Sequence, residues 1–253
     1  MKPSLFLAVA VVAIAGCNSK AGDAKVNNDA PVKWEQVAPP KGGDWSQVVN
    51  PTSAGGFVMG NPNAKVKLIE YGSMTCPHCR EFDEMGVPAL IDKYVKSGQV
   101  SWEFRNYVRD SFDLTASLIA RCNGSQSFFP LTRALYKDQT SWVEKVQATP
   151  PAQLEQLQNL PPNQQFTALA KVAGFSEWAA MRGVPADKSA KCLADQNAVN
   201  QLVQMTSDAT TQFPDFKGTP TFVINGTMVD LGPVTAKEVW PALEGKIKAA
   251  LGG

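Results

Sequence analysis

Two cysteines three positions apart carry the most distinctive chemistry of this sequence. The segment Cys76-Pro77-His78-Cys79 contains both thiols and the only histidine of the chain. A Cys-x-x-Cys pair can close an intramolecular disulfide, and a thiol in the first turn of a helix is stabilised as a thiolate by unpaired N–H groups and the helix dipole. Pro77 suits that first turn because it has no N–H to leave unpaired there. The spacing therefore predicts a redox-active dithiol.

A zinc site is the alternative interpretation of the cysteine pair. Zinc takes four ligands, usually with a second Cys or His pair at similar spacing. The chain has no second Cys-x-x-Cys segment, and His78 is its only imidazole. The pattern therefore favours redox chemistry, and we expect neither a metal nor a cofactor.

The residues around the pair predict the elements that position it. Val66 to Tyr71 is typical of a strand, the residues from Pro77 through Leu90 of a helix, and Val100 to Arg105 of a second strand. The order predicts a β-α-β unit with the cysteine pair at the start of its helix.

The rest of the chain predicts a helical block followed by a return to the sheet. From about residue 111 to 212 the pattern is helical, with breaks at Pro150-Pro151 and Pro161-Pro162. Thereafter we expect a strand at Thr221 to Ile224, a turn at Asn225-Gly226, a partner strand at Met228 to Leu231 and a helix from Thr235 to Leu251.

The N-terminal residues are typical of a targeting segment. Lys2 precedes an apolar run from Leu5 to Ala15, which is too short to span a bilayer, and Ile14-Ala15-Gly16-Cys17 resembles the bacterial lipoprotein cleavage box. We expect a signal peptide over residues 1–16 and a lipid on Cys17. An ordinary signal peptide with an incidental cysteine, or an uncleaved anchor, is the alternative. Export follows in either case, and we expect the mature chain to work in an oxidising compartment where disulfides persist, the bacterial periplasm.

Residues 17–56 are predicted to form a flexible tether. They are rich in Asn, Asp, Lys, Gly and Pro, without apolar periodicity. Trp34 and Trp45 are expected to dock the tether onto the folded body rather than to bind a ligand.

Three ordered motifs together resemble the DsbA-like thiol:disulfide oxidoreductases of the thioredoxin superfamily. They are the stretch from Gly60-Asn61-Pro62 through the Cys76–Cys79 segment, the helical insertion that bears further cysteines, and Gly218-Thr219-Pro220-Thr221-Phe222. The resemblance covers the chain from about Phe57 to its end. It implies an α/β, thioredoxin-like fold with an inserted helical domain, over residues 57–110 and 213–253 for the first part and 111–212 for the insertion.

The resemblance also implies roles for individual residues. Cys76 is the exposed nucleophile, Cys79 its buried partner, and Pro220, after Thr219, a cis-proline opposite the pair. His78 is expected to lend positive charge or a hydrogen bond to the Cys76 thiolate, and so to favour the reduced form.

Glu70 matches the acidic residue that family members keep beneath the active site. Our hypothesis is that it accepts or relays the proton of Cys79. A solvated carboxylate at the edge of a strand is the alternative, because periodicity alone does not fix the burial of Glu70.

Cys122 and Cys192 remain once Cys17 and the redox pair are assigned. Exported proteins seldom leave two thiols unused, and both residues fall in the helical insertion, so we predict a structural disulfide. Two separately buried free cysteines are the alternative.

The overall charge favours no polyanion as a partner. With 24 basic and 23 acidic residues, nothing in the composition points to nucleic acid. The expected partners are reduced or unfolded exported proteins, a membrane redox protein that reoxidises the pair, and the membrane itself through the lipid. We expect a monomer.

Two classes of function stay open. The first is an enzyme that introduces disulfides into exported proteins, with isomerase or reductase as the variant direction. Cys-Pro-His-Cys resembles the strongly oxidising members, whereas Thr219 before the proline also occurs in members that reduce or isomerise. The second class is a lipoprotein that binds copper through its thiols.

Overall fold

The computed structural model of the protein describes residues 38–253. Within them, six strands form one sheet in the order β1-β2-β4-β3-β5-β6. The strands are Val49–Pro51 (β1), Phe57–Met59 (β2), Val66–Gly72 (β3), Val100–Asn106 (β4), Thr221–Ile224 (β5) and Thr227–Met228 (β6).

The central strand of this sheet leads directly to the cysteine pair. β3 lies between β4, to which it is parallel, and β5, to which it is antiparallel. A parallel neighbour requires a crossover, and the crossover begins with the helix that carries the cysteines. The predicted β-α-β unit is therefore confirmed.

The helix after the cysteines is shorter than the sequence predicts. Pro77–Met85 (α1) ends at Gly86, Val87–Leu90 (α2) follows, and Ile91–Val95 forms a π-helical turn. Pro88 cannot donate a backbone hydrogen bond, which favours a new start at this point. A Cβ atom at Gly86 would lie only 2.6 Å from the ring of Phe82, so a larger residue does not fit at the joint.

Eight helices lie between β4 and β5 in the described chain. They are Ser111–Arg121 (α3), Ser125–Lys137 (α4), Gln139–Gln147 (α5), Pro151–Gln158 (α6), Pro162–Ala173 (α7), Phe175–Ala180 (α8), Ala186–Leu193 (α9) and Gln196–Gln212 (α10). α3 is the centre of this block: its residues from Phe112 to Ala120 are all buried, and it packs against α4, α7, α9 and α10. The predicted proline breaks fall at the starts of α6 and α7.

A disulfide joins Cys122, just after α3, to Cys192 in α9, with Cα atoms 5.6 Å apart. The bridge therefore ties together two helices of the block that are 70 positions apart in sequence.

The C-terminal elements follow the predicted order. Asn225 and Gly226 both have positive φ angles, 49° and 85°, as a tight hairpin turn requires. The partner strand β6 spans only two residues rather than reaching Leu231, because the chain turns away where Asp230 accepts a hydrogen bond from the N–H of Gly232. The last helix, Ala236–Leu251 (α11), begins with a capping box formed by Thr235 and Glu238.

The end of the predicted tether belongs to the sheet instead. Val49 pairs with Met59 across β1 and β2 and is buried, so the prediction of a flexible tether is wrong for this part. Only three residues of β1 pair, which is too short a run for a period to be visible. Trp45 lies against Gly98, where an added Cβ would approach its ring to 2.6 Å. The signal peptide, Cys17 and Trp34 lie outside the described residues.

Among residues 38–253, no helix combines the length and the apolar character needed to cross a membrane.

The disulfide yields a stability prediction. Closing a loop of 70 residues lowers the entropy of the unfolded chain. In the chain-entropy model this stabilises the folded protein by about 4 kcal/mol at 25 °C. We expect the double variant C122A/C192A to lose about this amount of unfolding free energy in urea, while the alkylation rate of Cys76 is unchanged. An unfolding free energy equal to that of the wild type would contradict a structural role for the bridge.

Candidate active site

The cysteine pair lies at the end of the central strand, where the chain turns into α1. β3 ends at Gly72, and residues Ser73 to Cys76, here called the redox turn, lead into the helix. Cys76 is the N-cap residue and Pro77 the first helical residue. The first N–H groups of a helix have no intrahelical partner, so those of His78 and Cys79 are free to face the sulfur of Cys76.

The environment of Cys76 stabilises its thiolate. Its pKa is lowered to about 5, chiefly by a hydrogen bond from the Cys79 thiol, against the opposing effect of burial. The side chain of Thr219 and the backbone N–H groups of Cys79 and His78 lower the pKa further. A thiol with such a pKa is ionised at neutral pH and is also a good leaving group.

Cys79 has the opposite character. It is fully buried, and burial together with the neighbouring Cys76 raises its pKa well above the ordinary thiol value. The acidic side chain of Glu70 adds to this rise. The two thiols therefore differ strongly: one is a stabilised thiolate and the other stays protonated.

Cys76 is not exposed, contrary to the sequence-based expectation. Only 2% of its surface is accessible, and its sulfur lies 3.1 Å from the carbonyl oxygen of Thr219. The segment of Thr219 and Pro220 lies over the sulfur, and the peptide bond between these two residues is cis. Cys76 is buried because a segment distant in sequence lies close to it in the fold. Sequence periodicity does not predict such a contact.

Aromatic side chains hold the segment that leads to Pro220. Phe213 and Phe216 pack edge-on against Tyr71 of β3, with ring centroids 6.1 and 5.5 Å apart. Phe216 also stacks on Tyr107 at 4.6 Å. These ring contacts hold the chain before Thr219 against the sheet.

Glu70 lies beneath the pair, buried in the sheet. It is 1% exposed on β3, and the indole Nε1 of Trp102 donates a hydrogen bond to its carboxyl oxygen at 3.0 Å. Burial, with the negative charge of Asp83, raises the pKa of Glu70 well above its ordinary value. The alternative of a solvated strand-edge carboxylate is excluded by this burial.

The imidazole of His78 pairs with an acidic residue of its own helix. Its Nδ1 lies 3.0 Å from the carboxylate of Glu81, one helical turn later, and its side chain is 67% exposed. The ring therefore hydrogen-bonds to Glu81 and not to Cys76, while the expected contribution of positive charge from His78 stays a prediction. The N–H of the His78 backbone favours the thiolate.

Three residues of the helical block contact the redox turn and were missed by the sequence analysis. Asp113, Tyr136 and Gln139 all hydrogen-bond to residues of the turn. The sequence of α3 does not show that Asp113 is buried. Without that burial, nothing distinguishes it from an ordinary acidic residue in the first turn of a helix.

The described part of the chain offers little for metal binding. Within residues 38–253, no group of three or more His, Cys, Asp or Glu side chains could hold an ion.

Comparison with known proteins places this arrangement in context. Residues 52–244 match the family described as Thioredoxin. A solved structure of a protein-disulfide isomerase from Novosphingobium aromaticivorans is 31% identical, with a TM-score of 0.71, covering 78% of this chain and 97% of that one. The structure of Wolbachia pipientis alpha-DsbA1 is 21% identical, with a TM-score of 0.60 over 80% of this chain and 94% of that one. These likenesses confirm the predicted thioredoxin-like fold with an inserted helical region.

A curated relative from Rickettsia bellii carries the description putative protein-disulfide oxidoreductase. It is 28% identical over 175 residues, which are 69% of this chain and 58% of the relative. The chain thus spans little more than half the length of this relative.

The contrast between the two thiols yields a prediction. In the reduced protein at pH 6, iodoacetamide should modify Cys76 and leave Cys79 untouched, because only Cys76 is ionised there. Thiolate absorbance near 240 nm (an approximate band) should titrate with a midpoint near the pKa of about 5, and Cys76→Ala, in which this step is lost, gives the baseline. Preferential modification of Cys79, or a midpoint above about 8, would contradict the assignment.

Proposed function

This chain belongs to the thioredoxin family, and from that premise we propose that it is a thiol:disulfide oxidoreductase that introduces disulfide bonds into exported proteins. The observation that carries the proposal is the position of Cys76 as the N-cap of α1 beside the fully buried Cys79, an arrangement in which the pKa of the first thiol is lowered and that of the second is raised. Full reduction of the pair releases Cys76 as a stabilised thiolate. The disulfide is therefore readily reduced, and it oxidises other thiols.

The exchange proceeds in two steps that balance. A thiolate of the substrate protein attacks Sγ of Cys76 in the oxidised pair, the Cys76–Cys79 bond breaks, and the sulfur of Cys79 takes up a proton. A second substrate thiolate then attacks the substrate sulfur of the mixed disulfide, and Cys76 leaves as a thiolate. The substrate loses two electrons, the pair gains them, and a membrane redox protein restores the disulfide by accepting them.

Glu70 is proposed as the group that exchanges the proton with Cys79. Its raised pKa keeps it protonated when the pair opens, so it can give a proton to the leaving sulfur and later regain it. Electrostatic coupling between Glu70 and Cys79 supports this role. Its burial beside Trp102 keeps bulk water from replacing it.

Direction is the point on which an alternative stays open. The likeness at 31% identity to a solved protein-disulfide isomerase favours isomerisation as the second candidate. We favour oxidation because the backbone N–H groups at the start of α1 stabilise the thiolate. Copper binding is a weaker candidate, since the chain has no histidine outside the Cys76–Cys79 segment.

Thermal melts of the reduced and oxidised forms test the direction. The folded pKa of Cys76 is depressed from 9.0 to about 5, so this thiol stabilises the reduced protein fully above pH 9, and the effect is lost as the pH falls through 5. At pH 7 the contribution is about 3 kcal/mol. The reduced form should therefore melt several degrees higher than the oxidised form at pH 7, with a smaller gap at pH 5.

An activity assay on two forms of a protein substrate completes the test of direction. The oxidised protein should restore activity to a reduced, unfolded ribonuclease faster than to a scrambled one. An oxidised form that melts higher, together with preference for the scrambled substrate, would establish isomerase or reductase as the function. Tight Cu(I) binding without turnover on either substrate would favour the copper lipoprotein.

The proton-transfer role of Glu70 has its own test. Glu70→Gln should slow the opening of the pair about a hundredfold or more, within the usual range for loss of a general acid, and should remove one ionisation from the pH dependence of Cys79 reactivity. Glu103→Gln is the matched control: Glu103 lies on neighbouring β4, where Arg105 and Thr52 bind it. An unchanged pH profile in Glu70→Gln would exclude the role.

Export and lipid anchoring rest on the sequence of residues 1–17, which lie outside the described residues. We propose that Cys17 carries a lipid that holds the mature protein at a periplasmic membrane face. Cys17→Ala should move the protein from the membrane to the soluble periplasmic fraction without changing its melting temperature. Wild-type protein found unlipidated in the soluble fraction would contradict the anchor.

A further inference from the structure

Asp113 is a residue of the helical block that binds the redox turn through its side chain. It lies in the first turn of α3, and its surface is fully buried. One carboxyl oxygen accepts a hydrogen bond from the N–H of Met74 at 2.8 Å. The other accepts from the hydroxyl of Ser73 at 2.5 Å and from the N–H of Arg109 at 3.0 Å.

The helix itself does not need this side chain as a cap. Asp110 is the N-cap of α3 and accepts hydrogen bonds from the N–H groups of Phe112 and Asp113. The carboxylate of Asp113 is thus directed away from its own helix, towards the redox turn and the chain that leads from β4. A buried carboxylate is costly unless such partners satisfy it.

Other side chains of the block complete the contact with the same turn. Tyr136 donates to the carbonyl of Ser73 at 3.2 Å, and Gln139 donates to the carbonyls of Met74 and Cys76 at 2.7 and 3.0 Å. Asp110 also accepts a hydrogen bond from the redox turn, from the hydroxyl of Thr75 at 2.9 Å. Asp113 differs in that it accepts from a backbone N–H of the turn, that of Met74.

We propose that Asp113 is a positioning residue that fixes the redox turn and thereby holds Cys76 at the start of α1, where the helix stabilises its thiolate. The inference rests on the proposed function only in taking Cys76 as the reacting sulfur.

The physical link between Asp113 and the thiols passes through the backbone. Met74, which Asp113 holds, lies two residues before Cys76, so a displaced turn moves the sulfur away from the N–H groups of His78 and Cys79 that face it. Ser73, held by the same carboxylate, also directs its backbone N–H at the sulfur of Cys79. Hydrogen bonds of this kind lose most of their strength when the geometry departs from linear.

Two substitutions test the proposal at graded strength. Asp113→Asn replaces one acceptor oxygen by an NH₂ group, which opposes either the N–H of Met74 or that of Arg109. Ser73→Ala removes only the hydroxyl and leaves the two backbone hydrogen bonds to Asp113 in place. Asp195→Ala is the control, because it removes the cap of α10, where Asp195 binds the N–H groups of Asn197 and Ala198, and it leaves the turn untouched.

The measurements are the alkylation rate of Cys76 at pH 6 and the absorbance titration of its thiolate, with the melting temperature of the oxidised protein as a check on folding. Asp113→Asn should alkylate about tenfold more slowly at pH 6, as expected if the pKa of Cys76 rises by about two units. Ser73→Ala should be about two- to threefold slower on the same basis. Asp195→Ala should melt at a lower temperature with an unchanged rate.

Each outcome decides the proposal. A folded Asp113→Asn variant whose rate and titration midpoint match the wild type would overturn it and leave Asp113 a purely structural residue. If Asp113→Asn does not fold, Ser73→Ala decides, and a wild-type rate in that variant would overturn the proposal. The readout is reaction with a small reagent, so failure of the proposed oxidase activity on protein substrates would appear separately, in the wild type.

Discussion

The hydrogen bonds that the sulfur of Cys76 receives, chiefly from the Cys79 thiol and further from backbone N–H groups at the start of α1, are the interaction on which the rest of the site depends. The N–H groups of His78 and Cys79 have no partner within the helix, and they meet the thiolate instead. Pro77 helps because it occupies the one first-turn position where a missing N–H costs nothing. The sheet delivers Cys76 to this point at the end of β3, and the helical block keeps it there.

Burial raises the pKa values of several acidic side chains in this part of the fold. Burial raises the pKa values of Glu70 and Asp113, to about 7 for Asp113, and that of the neighbouring Asp83 to about 6. The negative charge of Glu70, which interacts electrostatically with Cys76, is thereby disfavoured. Burial thus favours the protonated form of Glu70, the group proposed to exchange a proton with Cys79, and limits its negative charge close to Cys76.

The sequence predicts the parts of the molecule that depend on local pattern. The strands around Val66 and Val100, the turn at Asn225-Gly226 and the helix that starts after Thr235 all follow from period and capping. The pairing of Cys122 with Cys192 follows from the number of cysteines that remain. These features need no knowledge of which surfaces meet in the fold.

What the sequence does not predict depends on tertiary contact. The burial of Cys76 comes from the distant Thr219 segment, and the role of Asp113 comes from a carboxylate whose partners lie about forty positions earlier. The ring of His78 prefers Glu81, a neighbour that becomes relevant only once the helix is formed. Val49 joins the sheet through pairing with Met59 rather than through any period of its own.

The reduction potential of the Cys76–Cys79 pair, measured by equilibration with glutathione, tests the central claim most directly. A thiolate stabilised as described makes the reduced form favourable, so we predict a potential less negative than about −200 mV, towards the value near −120 mV of the most oxidising proteins of this chemistry. A potential more negative than about −200 mV, towards the value near −270 mV of thioredoxin, would contradict the account.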